Sequence, residues 1–391
     1  MQTTSQTEAA PGRARAILSL DGGGVRGTIS VAFLKRIEAL LRERDGTPDA
    51  RLCDYFDLVG GTSTGAIIAT TLSLGYEVRD IEIFYHELAP RVFQKSRFRL
   101  IGLQAVFNER NLKREIATVC GDRTLGTEDL KTLVAIVMKR MDTGSAWMLM
   151  NNPESAFWET PADGSFIGNK HYRLGDLVRA STAAPHYFAP EAISIIDAEP
   201  PGLFVDGGVT PHNNPALALM QMAFVKGYGL NWAPGTDNLL IVSVGTGTFR
   251  PTLDAVRARR MAAAGLAIKA LAGMISDAGT HVMTQMQMLG CTDTPWKINS
   301  EIGDLQDTSL LPEPLFTFQR YDALLEHDWL ERELGIKLSD RALETVRKME
   351  DPSGISLCRE IGEAAAEKMV SSEHFRLLTG RANVETNTAR T

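Results

Sequence analysis

Gly61-Thr62-Ser63-Thr64-Gly65 carries the strongest chemical signal in the chain. The apolar run Phe56-Asp57-Leu58-Val59 leads into it and Ala66-Ile67-Ile68-Ala69-Thr70-Thr71-Leu72 leads out, so Ser63 falls where a strand turns sharply into a helix. Such a turn lifts a serine oxygen clear of the backbone, and small flanking residues let a carbonyl carbon approach without meeting a Cβ. Taken alone, the pentapeptide fits a tight strand-to-helix turn equally well.

A second glycine segment, Asp21-Gly22-Gly23-Gly24-Val25-Arg26-Gly27, follows the apolar strand Ala16-Ile17-Leu18-Ser19-Leu20 and precedes Val31, Leu34, Ile37 and Leu41 at helical spacing. Strand, glycine loop and helix N-terminus together offer backbone N–H groups and the positive end of a helix dipole, which suit a phosphate or a developing oxyanion. The spacing fits neither the phosphate-loop nor the dinucleotide fingerprint. In a third segment, the strand Leu203-Phe204-Val205 ends in Asp206-Gly207-Gly208, and Asn214 followed by Pro215 predicts a helix capped by Asn214. Asp206 then sits, as Ser63 does, at the carboxyl end of a strand, the edge where sites collect in open α/β sheets. By itself, an Asp before two glycines is a turn former.

In this order the three segments resemble the patatin-like phospholipases. Tyr55-Phe56-Asp57-Leu58-Val59-Gly60 and Arg179-Ala180-Ser181-Thr182-Ala183-Ala184-Pro185 extend the similarity, which covers roughly residues 15 to 250. The resemblance implies a three-layer α/β/α fold around a mostly parallel central sheet. It also implies a Ser63–Asp206 dyad, an oxyanion hole at Gly22, Gly23 and Gly24, and hydrolysis of lipid acyl esters through an acyl-enzyme, in the manner of a phospholipase A or carboxylesterase. Gly61 and Gly65 shape the elbow, and Gly207 and Gly208 the turn after Asp206. Arg26 either holds a lipid phosphate or pairs with a carboxylate; both readings stand.

From the residues alone, a serine–histidine–acid triad stays open. His212, His281, His327 and His374 have the right order, but only His212 lies near a strand end, six residues past Asp206. Its plainer reading is a loop residue, and His186 reads as a packed histidine beside the site. An aspartate with a reference pKa near ~3.9 is a weak base, so backbone donors would supply most of the barrier lowering. Without a catalytic histidine, the pH profile should lack a basic limb set by a group near ~6.5.

The elements that position these residues follow from the remaining pattern. Leu133-Val134-Ala135-Ile136-Val137-Met138, Ala146-Trp147-Met148-Leu149-Met150 and Leu239-Leu240-Ile241-Val242-Ser243-Val244 read as buried strands alternating with helices. After Gly245-Thr246-Gly247 the pattern becomes helical, from Ala255 to Leu289, Asp340 to Met349 and Ile361 to Val370. The stretch Arg260 to Ile275 reads as a buried helix packed through small residues. Gln285-Met286-Gln287-Met288-Leu289 reads as core, with a methionine wall for an acyl pocket as the alternative. Phe93 to Leu103 reads as a connecting loop, with a cap over lipid headgroups as the alternative. The domains expected are a flexible tail (1–15), a catalytic domain (16–250), a helical C-terminal region packed on it (251–376) and a disordered tail (377–391).

With 391 residues, 44% of them hydrophobic, the chain can bury a large core. Its 41 basic and 48 acidic residues give a net charge of -7, which excludes a general attraction for nucleic acid. Scattered cysteines without Cys-x-x-Cys spacing point to a reduced cytoplasmic setting, peripheral to a membrane at most. No secretory signal or spanning run is read, and the chemistry needs no metal or cofactor. The partner expected is a phospholipid or other lipid ester at a membrane or micelle surface; a homodimer is left open. Two other functions remain: a phospholipase gated by a cyclic nucleotide, and a non-catalytic anion or nucleotide binder using the Gly22 to Gly27 loop. Added nucleotide separates the first, and binding without labelling by a fluorophosphonate the second.

Overall fold

The protein is described by a computed structural model covering residues 13–92, 107, 109–250, 252, 259, 261, 263–306, 308 and 310–383. Its elements begin with β1 (Arg15–Leu20), α1 (Gly27–Asp45), α2 (Leu52–Tyr55), β2 (Leu58–Thr62), α3 (Thr64–Ser73), α4 (Val78–Val92) and α5 (Glu109–Cys120). They continue with β3 (Leu133–Arg140), β4 (Ala146–Met150), α6 (Leu174–Ser181), β5 (Glu191–Ile193), β6 (Gly202–Asp206), α7 (Ala216–Phe224) and β7 (Leu239–Val244). The rest is α8 (Ala263–Leu289), β8 (Cys291–Thr292), β9 (Thr317–Tyr321), α9 (His327–Leu334), α10 (Asp340–Arg347) and α11 (Ile355–Met369).

These strands form one mixed sheet in the order β5-β6-β3-β2-β1-β7-β9-β8, with β4 added on β3. The run from β3 through β8 is parallel, while β4 and β6 pair with β3 in the antiparallel sense. Because successive side chains point to opposite faces, strands buried on both sides are apolar throughout. Ile17, Leu58 and Ile241 turn toward α7 and the C-terminal half of α8. Leu18, Val59 and Val242 turn toward α1, α3 and α11 on the other face. The architecture is therefore three layers, helices over both faces of a mostly parallel sheet.

Several local expectations shift. The helix after the third motif begins at Ala216, and Asn214 caps it from one residue further back, its Oδ1 accepting the Ala216 N–H at 3.0 Å. Beyond residue 250 the helices α8, α10 and α11 are joined by two strands, β8 and β9, that extend the sheet. β9 was hidden because Gln319 and Arg320, polar yet buried, interrupt its apolar pattern. The three-residue β5 was likewise missed. At the N-terminus Arg15 already belongs to β1, and Arg13 and Arg15 both reach Asp57.

The chain end departs furthest from expectation. Of the tail expected to be disordered, 377–391, residues 377–383 are packed and the rest lie outside the described residues: Leu378 is buried, and Arg381, only 2% exposed, pairs with Asp57 at 2.8 Å. Its guanidinium also donates to the carbonyls of Tyr55 and Ala14, so it fastens the chain end to β1 and to the entry of β2. Sequence pattern does not show this, because the residue that orders the segment is a cation whose partner lies more than 300 positions away. Arg381→Ala should leave Tyr55 and Ala14 carbonyls without a donor and lower unfolding free energy by about 2 kcal/mol. Urea unfolding checks this, and an unchanged midpoint would refute the anchoring role.

Candidate functional site

The elbow is built by enforced close approach. Ser63 has φ 55° and ψ -121°, a left-handed conformation that costs a side-chain-bearing residue about 1–3 kcal/mol. A Cβ on Gly61 would lie 2.1 Å from the Gly65 carbonyl oxygen, and one on Gly65 2.2 Å from that of Leu20, so neither position admits a side chain. The strained residue is held from outside the elbow: its N–H donates to Ser181 Oγ at 2.9 Å, and the Ser181 hydroxyl donates to the Val137 carbonyl at 2.6 Å. Ser181 ends α6, within the segment Arg179 to Pro185 quoted for the resemblance.

Asp206 reaches Ser63 by a different route from the one its strand-end position suggests. β6 is antiparallel to β3, where its partners are Met138, Lys139 and Arg140. Those residues overhang the end of β2, whose Thr62 is opposite Val137. β6 thus descends onto the carboxyl edge of the parallel strands and stops there. The outcome is a 2.6 Å hydrogen bond from Ser63 Oγ to Asp206 Oδ2. Asp206 Oδ1 accepts the Gly208 N–H at 2.7 Å. Burial pushes the Asp206 carboxyl up to about 6, while the Ser63 hydroxyl, the Gly208 N–H and Arg179 pull it back. Arg179 is 1% exposed and acts from a distance; it donates to the Ala189 carbonyl and stacks on Phe188.

Neither histidine near the site is hydrogen-bonded to Ser63. His212 contributes its backbone carbonyl, which accepts the Thr62 hydroxyl at 2.6 Å. Its Nδ1 has no partner among the described residues, and burial lowers its pKa. His186 lines the cavity with its ring edge-on to Tyr187.

The glycine loop comes within van der Waals contact of the serine, since a Cβ on Gly22 would lie 3.2 Å from Ser63 Cβ. Its polar groups are unequally committed. Gly22 N–H donates to the Asn213 carbonyl at 3.0 Å, and Gly22 O accepts from Thr246 Oγ1 and Asn213 Nδ2. The Val25 N–H goes to the Met349 carbonyl. This leaves the N–H groups of Gly23 and Gly24 as the donors on offer. Arg26 is 8% exposed and makes no ion pair among the described residues; its Nε and Nη1 have no partner there. Its guanidinium lies 5.6 Å from the Phe249 ring centroid, and that of Arg347 lies 5.0 Å from the same ring.

A cavity of about 570 Å³ joins these parts. From Ser63 and the loop it runs to Leu271, Ile275 and Met283 of α8 and to Arg347. The N-terminal half of α8 is not the buried helix expected: Leu266 is 46% and Met274 69% exposed. Met286 belongs to the core, as read, and the methionine of α8 that lines the cavity is Met283. The segment read as a cap, Phe93 to Leu103, lies outside the described residues. Ser181, Asn213, Thr246 and Arg320 were not singled out as site residues, and only Ser181 lay in a motif that could have flagged it.

The family model described as patatin-like phospholipase matches residues 18–220. A cGAMP-activated phospholipase of Vibrio cholerae is 32% identical over 217 residues, which are 53% of this chain and 57% of that protein. Patatin-17 of Solanum cardiophyllum is 30% identical over 274 residues, 63% of this chain and 64% of that protein. The matches thus span less than two thirds of these relatives' own length. Human GIVD cytosolic phospholipase A2 superposes with a TM-score of 0.46 at 11% identity, covering 95% of this chain and 60% of that one. The family match, which spans more than half of the chain, makes it a member of the patatin-like phospholipase family.

Proposed function

We propose that the chain hydrolyses acyl esters of lipids, with Ser63 as nucleophile, Asp206 as its base and the Gly23 and Gly24 N–H groups as oxyanion donors. The observation that carries this reading is the 2.6 Å hydrogen bond between Ser63 Oγ and the buried Asp206 carboxylate. Ser63 Oγ attacks the ester carbonyl while its proton passes to Asp206, and the carbonyl oxygen gains charge facing the loop. Collapse expels the alcohol, which takes that proton. A water, deprotonated by Asp206, then attacks the acyl-enzyme and frees the fatty acid and Ser63. A carboxyl near 6 is a better base than one near ~3.9, and burial supplies the difference.

The cavity walls support a lipid substrate. Leu271, Ile275 and Met283 give an apolar run for an acyl chain, and the unpaired guanidinium of Arg26, beside Arg347, suits a lipid phosphate. The substrate is accordingly a phospholipid presented at a membrane or micelle surface. The name of the Vibrio cholerae relative supports a second reading, in which such activity is gated by cGAMP. Wild type that is silent alone but hydrolyses phospholipid once cGAMP is added would establish it.

Ser63→Ala and Asp206→Asn should each reduce hydrolysis of a p-nitrophenyl ester and a labelled phospholipid by about 1000-fold or more. Fluorophosphonate labelling should vanish in Ser63→Ala. A folded wild type that binds anions but neither labels nor turns over, with or without cGAMP, would instead point to a binding protein. Arg26→Gln should raise KM for phospholipid about 10-fold more than KM for the phosphate-free ester; equal changes would remove Arg26 from headgroup binding.

The pH profile of kcat/KM should fall tenfold per pH unit below about 6, where Asp206 gains its proton. This limb lies close to that of an ordinary imidazole, so its position alone does not identify the base. His212→Ala retaining the limb would assign it to Asp206; its loss would restore the triad.

Asp206 also burdens the fold. Its folded pKa exceeds the unfolded one, so the native state binds more protons, and stability declines as pH rises from 3.8 to about 6. Asp206→Asn should therefore be more stable than wild type at pH 8 by about 3 kcal/mol, with the gain gone near pH 3. Thermal melts across that range test this; equal stability at both ends would mean the carboxylate is not under desolvation stress.

A further inference from the structure

The family match ends at residue 220, yet the glycine loop is fastened by a residue a hundred positions later. Arg320 lies on β9 opposite Ser243 of β7, which is itself opposite Ser19 of β1. Its side chain crosses β7 toward the end of β1. Nη1 donates to Ser243 Oγ at 2.7 Å and to Asp21 Oδ1 at 3.1 Å. Nη2 donates to Asp21 Oδ2 and to Asp322 Oδ2, each at 2.7 Å. Asp322 Oδ1 in turn accepts the Gly247 N–H at 2.8 Å, next to the Thr246 whose hydroxyl holds Gly22 O. One guanidinium thus connects the ends of three parallel strands at the base of the loop.

We propose that Arg320 is the positioning residue of the oxyanion donors: through Asp21 it fixes where the Gly23 and Gly24 N–H groups point and cancels the negative charge at the root of the loop. The proposal rests on the ester-hydrolase reading given above. Asp21 lines the same cavity as Ser63 and is 7% exposed. An uncompensated carboxylate there would oppose an oxyanion forming a few residues away, in surroundings where water screens little. The two carboxylates of Asp21 and Asp322 are balanced by Arg320 and, at longer range, by Arg26. The fork matters as well as the charge. A guanidinium can hold Asp21 by two parallel bonds and still reach Asp322 and Ser243, whereas an ammonium at the same place is a single point without a fixed direction.

The test compares wild type, Arg320→Lys and the triple variant Asp21→Asn/Arg320→Gln/Asp322→Asn, which removes both carboxylates with their shared cation and so leaves no orphan carboxylate. For each, thermal melting, kcat and KM on a p-nitrophenyl ester, the rate of fluorophosphonate labelling and amide hydrogen exchange of residues 19–27 are measured. The expected result in any folded variant is kcat and labelling rate lowered about 100-fold, the scale of one lost oxyanion donor, with KM within about 3-fold. Exchange at Asp21, Gly22 and Val25, whose N–H groups are hydrogen-bonded, should rise about 10-fold while the remainder of the sheet stays protected. If Arg320→Lys does not fold, the triple variant decides. A folded variant with kcat within about 3-fold of wild type, or with unaltered exchange in the loop, overturns the proposal. Should wild type and Ser63→Ala turn over equally, the hydrolase reading falls, and loop exchange alone then judges whether Arg320 holds the loop.

Discussion

A carboxylate kept dry beside a hydroxyl is the interaction on which the rest of this structure depends. Removing an ionised Asp206 from water is costly unless nearby donors replace the lost hydration. Full replacement by a contacting guanidinium would bring its pKa down and weaken it as a base. The structure lies between these limits. Ser63 and the Gly208 N–H bond the carboxylate directly, while Arg179, tied to the Ala189 carbonyl and the Phe188 ring, pulls only from a distance. Burial remains the largest influence, and the group ends near 6.

Placing that carboxylate requires the mixed topology of the sheet. Parallel strands alone would bring Ser63 and the glycine loop to one edge but leave the acid to come from another element. β6 supplies it by pairing with the overhang of β3, so that a strand of opposite sense ends where β2 ends. The backbone strain at Ser63 is retained because its surroundings leave no alternative. Gly61 and Gly65 are closed in by backbone, and Ser181 ties the Ser63 N–H to Val137 of β3.

Much of this was legible in the sequence because it depends on local chemistry. Glycines that must accept another backbone at about 2 Å, a serine between them and an Asp followed by two glycines are all written in short segments. The three-layer fold followed from apolar strands alternating with helices. What could not be read depends on partners far apart in the chain. β9 carries buried Gln319 and Arg320 because Asp21, Ser243 and Asp293 receive them, and no window around residue 320 contains those acceptors. Arg381 is the same case at the chain end, paired with Asp57. The direction of β6 was also invisible, since an isolated strand and turn look alike whichever way they pair.

The committed groups of the glycine loop explain why its uncommitted ones are available. Gly22 spends its N–H and its carbonyl on Asn213 and Thr246, and Val25 spends its N–H on Met349. Gly23 and Gly24 thus lie between two residues fixed by hydrogen bonds. In the proposed reaction, donors pre-set in this way would cost no reorganisation when charge develops in front of them. Two of the three fixing residues, Thr246 and Met349, lie beyond the family match, as do the apolar wall of α8 and Arg347. Ser63 and the glycine loop are therefore held in part by residues within the match, Ser181 and Asn213, and enclosed in part by segments beyond it. Substitutions after residue 220 can reshape the cavity without touching Ser63 or Asp206, but those that reach Thr246, Arg320 or Met349 bear on the loop itself.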